Sequence, residues 1–117
     1  MTVFISGKIT GNPNYRQEFA AKAKELSEFG YTPYDHCIIG DRLKEELGRE
    51  PTYEEYMQRD FKVLQDVDAI SFLDNWQESA GAKREYDFAV KHNKKIISVR
   101  MFDRRRHSDV PFKPFKR

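Results

Sequence analysis

The chain has one cysteine, Cys37, so it cannot close an internal disulfide. It has no apolar stretch near the ~18 residues that a membrane span needs. Its first residues run straight into Val3-Phe4-Ile5, without the basic segment, long apolar core and small-residue cleavage site of a signal peptide. A reducing cytoplasm is therefore the expected compartment, with no membrane partner. Histidine is as scarce: His36, His92 and His107 stand far apart, and with one cysteine they make no zinc-ligand spacing. No metal and no cofactor are expected. Two glycine-loop signatures are missing as well. "SGKITG" (6–11) is followed by neither GKS nor GKT, which excludes a Walker loop, and it lacks the GxGxxG spacing of a dinucleotide fold. There is no internal repeat and no low-complexity segment.

What is present is 117 residues, 38% hydrophobic and 34% charged, enough for one domain with a real core. The net charge of +2 is uneven: residues 100–117 carry +5 and the rest −3. The expected division is a domain over 1–99 and a basic tail over 100–117. A tail with Arg104, Arg105, Arg106, Lys113, Lys116 and Arg117 can contact nucleic acid. Such tails are more often solvated or packed on an acidic neighbour, so nucleic acid is not the expected partner. Its three Phe and two Pro argue for packing against a neighbouring subunit.

Strands and helices alternate. "TVFIS" (2–6), "YTPYD" (31–35), "AISFL" (69–73) and "KIISV" (95–99) read as strands, with Pro33 placing the second at a sheet edge. A helix follows Asn14, which stands in capping-box register with Gln17, and Gly30 stops it. Thr52 and Glu55 form a second capping box before a stripe of Tyr56, Met57, Phe61 and Leu64. A third helix runs from Ser79 to about Asn93. Residues 36–51 read as loop with a short helix at "RLKEELG". Apolar strands between helices favour a parallel sheet covered on both faces, and ligands of such sheets bind beyond the strands' carboxyl ends where the order reverses. In a 2-1-3-4 order, the loops Gly7–Asn14 and Asp74–Gly81 face one another across one crevice.

The chemistry collects in these loops. The glycines of "SGKITG" let amides approach an anion, although a tight turn is the plainer reading. Ser79 can cap its helix or hold a hydroxyl beside an anion seat. Glu85 lies on or beside an apolar face with Ala82, Phe88 and Ala89, unlike an ordinary surface glutamate. Asp60 shares a face with Tyr56 and Met57, so it is either paired or at a pocket rim. Asp66 and Asp68 end a helix and shape the turn into a strand. Trp76 is either a flat wall for a base or core.

In their order and spacing, several residues carry a resemblance to the nucleoside 2-deoxyribosyltransferase superfamily, closest to a small branch of uncharacterised bacterial and phage proteins. They are Ser6, Gly7, Lys8, Ile9, Thr10, Gly11, Asn12 and Tyr15; Tyr56, Met57 and Asp60; Asp68-Ala69-Ile70; and Leu73 to Trp76, Ser79, Gly81, Ala82, Glu85 and Ala89. Pattern and resemblance together imply a three-layer α/β/α domain, flavodoxin- or Rossmann-like, with a mainly parallel sheet of four to five strands. By resemblance Glu85 is the nucleophile at the anomeric carbon, and Asp60 positions the base and supports its protonation. Ser79 stands where the nucleoside-using transferases carry an aspartate for the 5′-hydroxyl and where the branch hydrolysing nucleoside 5′-monophosphates carries serine. The substrate-binding set implied is Ser6, Gly7, Ile9, Thr10, Gly11, Asn12, Tyr15, Trp76, Ser79, Gly81 and Ala82. The expected activity is N-glycosidase or deoxyribosyltransferase action on a nucleoside 5′-monophosphate, in a homo-oligomer whose neighbour completes the site. The alternative is a catalytically silent nucleotide-binding module.

Overall fold

A computed structural model describes residues 1–98. The expected tail, and Val99 of the last expected strand, lie outside the described residues. The elements are β1 (Thr2–Ser6), α1 (Tyr15–Glu28), β2 (Thr32–Tyr34), α2 (His36–Leu47), α3 (Tyr53–Asp66), β3 (Ala69–Phe72), α4 (Ala80–Lys91) and β4 (Lys95–Ile96). The four strands form one parallel sheet in the order β2-β1-β3-β4, as the alternation of elements implies. β2 is the edge strand, which suits Pro33, a residue with no N–H to donate to a further neighbour.

The layering follows from the strand period of two. Val3 and Ile5 point to the face covered by Phe19 and Leu26 of α1. Phe4 joins Leu64 of α3 and Ala82 and Ala89 of α4 on the other face. Each of these side chains is at most 2% exposed. Fully burying one of the large ones is worth roughly 1.5–3 kcal/mol, so the two faces supply most of the driving force. A strand buried on both faces needs no polar alternation, and β1 has almost none. Its exception is Ser6, the last residue, which lies on the α3 and α4 side.

Local signals set most boundaries. Thr52 and Glu55 form the expected capping box of α3. Ser79 caps α4, its hydroxyl oxygen accepting from the Ala82 amide at 3.1 Å. Gly30 follows α1 at φ +90°, a conformation that favours glycine. Asp68 accepts from both the amide and the hydroxyl of Thr2, fastening the starts of β1 and β3.

Three expectations are corrected. Asn14 precedes α1 without making a side-chain cap bond; the neighbouring Asn12 amide instead donates to Lys8 O and Glu18 Oε1. Residues 36–47 are helix from the start: Asp35 caps α2 by accepting from Cys37 N at 2.8 Å, and Gly48 ends it at φ +69°. The interior Gly40, a weak helix former, hides that helix in the sequence. A Cβ there would lie 3.2 Å from the Tyr56 ring, a tight contact that the glycine avoids. Finally, β4 is shorter than expected, although Ile97 N still donates to Ile70 O at 2.9 Å.

Candidate functional site

The sheet order reverses between β1 and β3, and the loops that leave their carboxyl ends do meet. Leu73 N donates to Ser6 O at 2.9 Å, and Lys8 N donates to Asn75 Oδ1 at 3.2 Å. At the rim Lys8 Nζ pairs with Glu78 at 2.8 Å. A Cβ on Gly7 would fall 2.5 Å from Leu73 Cδ1, so this glycine permits the close approach of the two loops. Beside them opens a cleft of about 590 Å³.

Two helices aim carboxylates at its floor. On α3 the buried residues are Met57, Asp60 and Leu64; on α4 they are Ala82, Glu85 and Ala89. Each set spans i, i+3 and i+7, one helical stripe, so each carboxylate occupies a position where the pattern calls for an apolar residue. Glu85 is 0% exposed and Asp60 2%. Ser6 donates its hydroxyl to Glu85 Oε1 at 2.5 Å. His36, the first residue of α2, brings Nε2 to 2.8 Å from Asp60 Oδ2. That contact is short enough for an ion pair, yet Oδ2 has no well-aligned hydrogen-bond donor. Among the described residues, Glu85 Oε2 and His36 Nδ1 also lack a hydrogen-bond partner.

The electrostatics follow from this burial. Desolvation raises the Glu85 carboxyl well above its ordinary value; Asp60 pushes it the same way, while His36 and the Ser6 hydroxyl pull it down. Desolvation likewise raises Asp60 to about 7, against a smaller pull from Glu85. Two carboxyl groups this close in a buried floor do not both ionise freely. The donor atoms of His36, Asp60 and Glu85 lie within 4.8 Å of one another, the one such His/Asp/Glu set among the described residues. It is the one place there that could be considered for a cation, but the short contacts with Ser6 and within the set suit proton sharing.

Most of the residues singled out from the sequence come together here. Asp60, Glu85, Gly7, Ile9, Thr10 and Tyr15 line the cleft, as do Ser79, Gly81 and Ala82 at the start of α4. Ser6 lies beneath, holding Glu85. Gly11 and Asn12 shape the first loop from behind: Gly11 turns at φ +76°, and Asn12 ties Lys8 O to Glu18. Trp76 is a correction. It is 7% exposed and packs at a tilt against Phe72 and Tyr86, ring centroids 4.6 and 5.3 Å away, in the core, so it is no wall of the cleft. His36 is the residue sequence reasoning missed. Its signal was position: Asp35-His36 directly follows β2, and the carboxyl ends of all parallel strands open on the same side.

Fold and site define a three-layer α/β domain with a buried carboxyl pair at a sheet's switch point. The chain belongs to the family described as "Domain of unknown function (DUF4406)", whose model matches residues 1–98. No curated protein and no solved structure matches the chain.

Proposed function

We propose that the chain cleaves the N-glycosidic bond of a nucleoside 5′-monophosphate, with Glu85 as nucleophile and either water or a second base as acceptor. The resemblance of its loops and helices to the nucleoside 2-deoxyribosyltransferase superfamily supports this. The observation that carries it is Glu85 itself: fully buried, held at one oxygen by Ser6, its other oxygen unpartnered at the floor of an open cleft.

The chemistry suits the place. A carboxylate oxygen attacks C1′ as the C–N bond breaks, and the bonding pair leaves with the base. The sugar is then held as an ester of Glu85 until the acceptor takes it. Ser6 fixes the carboxylate and favours its ionised form. Asp60 holds a proton near neutrality and can pass it to the departing base. The 5′-phosphate is assigned to the amides opening α4 beside Ser79. A serine there adds no charge, whereas an aspartate would repel the dianion. Assembly into a homo-oligomer belongs to the same proposal, and light scattering checks it.

One consideration favours the alternative, a silent nucleotide-binding module: burial raises the Glu85 carboxyl, which disfavours the ionised form that a nucleophile needs. A panel of nucleoside 5′-monophosphates and nucleosides, followed by chromatography for free base, separates the two. Base release supports the glycosidase. Calorimetric binding without release supports the module.

A further inference from the structure

His36 is the member of the floor that the mechanism above leaves unused. Its ring is held between Phe4 and Phe19, at centroid distances of 5.4 and 5.5 Å, and its side chain is 11% exposed. Nε2 lies 2.8 Å from Asp60 Oδ2, and the ring also borders the cleft. Among the described residues Asp60 has no guanidinium or ammonium partner, so the imidazole is the one group beside it there able to carry positive charge. The rim cations are otherwise engaged, Lys8 with Glu78 and Arg16 with Asp41.

We propose that His36 is a positioning residue that shares a proton with Asp60, so that Asp60 protonates the departing base and recovers the proton from the incoming acceptor. This rests on the glycosidase reading. When the C–N bond breaks, its electron pair goes to the base nitrogen, which takes the proton held between Asp60 and His36. The pair is left one proton short. A water molecule then attacks C1′ of the ester: its hydroxyl joins the sugar, the C–O electrons return to Glu85, and its proton returns to Asp60 and His36. The cycle consumes one water and no other reagent. Without His36, Asp60 must become a buried anion with no countercharge, which is costly in a dry site.

The test compares leaving groups. For H36Q, kcat on an ordinary nucleoside 5′-monophosphate falls about 100-fold, within the range for general acid catalysis, while KM stays within about 3-fold. On p-nitrophenyl 2-deoxyriboside 5′-phosphate, whose leaving group needs no proton, kcat falls less than about 3-fold. The double variant H36Q/D60N is no slower than D60N, as for groups acting as a unit. Circular dichroism verifies the fold, and H36N replaces H36Q if that variant does not fold. Equal losses on both substrates, additive losses in the double variant, or undiminished activity overturn the role of His36 and leave the glycosidase reading standing. Wild-type protein that cleaves neither substrate overturns both.

Discussion

Glu54 and Glu55 open α3 in solvent, while Asp60, one and a half turns on, is 2% exposed. At the exposed end Arg84 and Arg49 fork onto the two glutamates at 2.8 to 3.2 Å and hold both carboxyls below their ordinary value, Glu55 at about 2. At the buried position no guanidinium among the described residues pairs with it, and desolvation raises Asp60 to about 7. One helix thus carries the same functional group in two settings. The exposed pairs are close and well formed, yet water screens them and their net worth is small. The buried carboxyl is costly to ionise where it stands, which is what a reactive group looks like.

The largest effect expected from breaking this contrast is on turnover. E85Q removes the nucleophile and lowers base release by about four orders of magnitude or more, with circular dichroism unchanged. The same change helps the fold, because a neutral amide is easier to bury than a carboxyl that titrates.

The pH dependence of stability comes next. Both buried carboxyls have folded values raised above their unfolded ones. The folded state therefore binds more protons, and their contribution, fully present below about pH 4, is lost as pH rises through about 7 for Asp60. The exposed carboxylates act oppositely, gaining stability above their unfolded values, but weakly. Wild-type protein is expected to lose on the order of 2–4 kcal/mol between pH 4 and 8, and D60N markedly less. Urea unfolding at pH 5 and pH 8 measures both slopes. A parallel pair of curves would show that Asp60 is not the group responsible.

Packing at the loop junction gives a smaller effect. G7A drives a methyl into Leu73 and should cost about 1–3 kcal/mol, whereas G11A, whose Cβ would make only an ordinary 3.8 Å contact with Lys8 Cε but at φ +76°, should cost about 1 kcal/mol. Equal melting points for the two would mean that the loops do not need their close contact.

S79D should move the ratio of kcat/KM for a monophosphate over its nucleoside by about 10-fold toward the nucleoside, through like-charge repulsion. An unchanged ratio places the phosphate elsewhere. Smallest of all is R49A: breaking its solvent-screened pair with Glu55 should leave the melting point essentially unchanged.

Much of this architecture was legible from apolar runs and caps. Alternating elements sufficed for the parallel order, because β1 and β3 are mostly apolar and buried, and Pro33 marks an edge. Glu85 and Asp60 were visible as carboxylates that break an apolar stripe. What stayed hidden depended on tertiary contacts. Whether Trp76 faces a ligand or the core is decided by Phe72 and Tyr86, residues with no sequence link to a cleft. α2 was obscured by Gly40, which faces the Tyr56 ring across a helix interface. With α2 went His36, which reads as a lone histidine until Asp60 is seen 2.8 Å away.

The most direct test is to incubate the protein at high concentration with nucleoside 5′-monophosphates, quench with acid, and measure free base and protein mass together. The account predicts base release with a transient adduct of one sugar phosphate on the peptide containing Glu85, both absent in E85Q. Base release that persists in E85Q, or no release from any nucleotide, would contradict it.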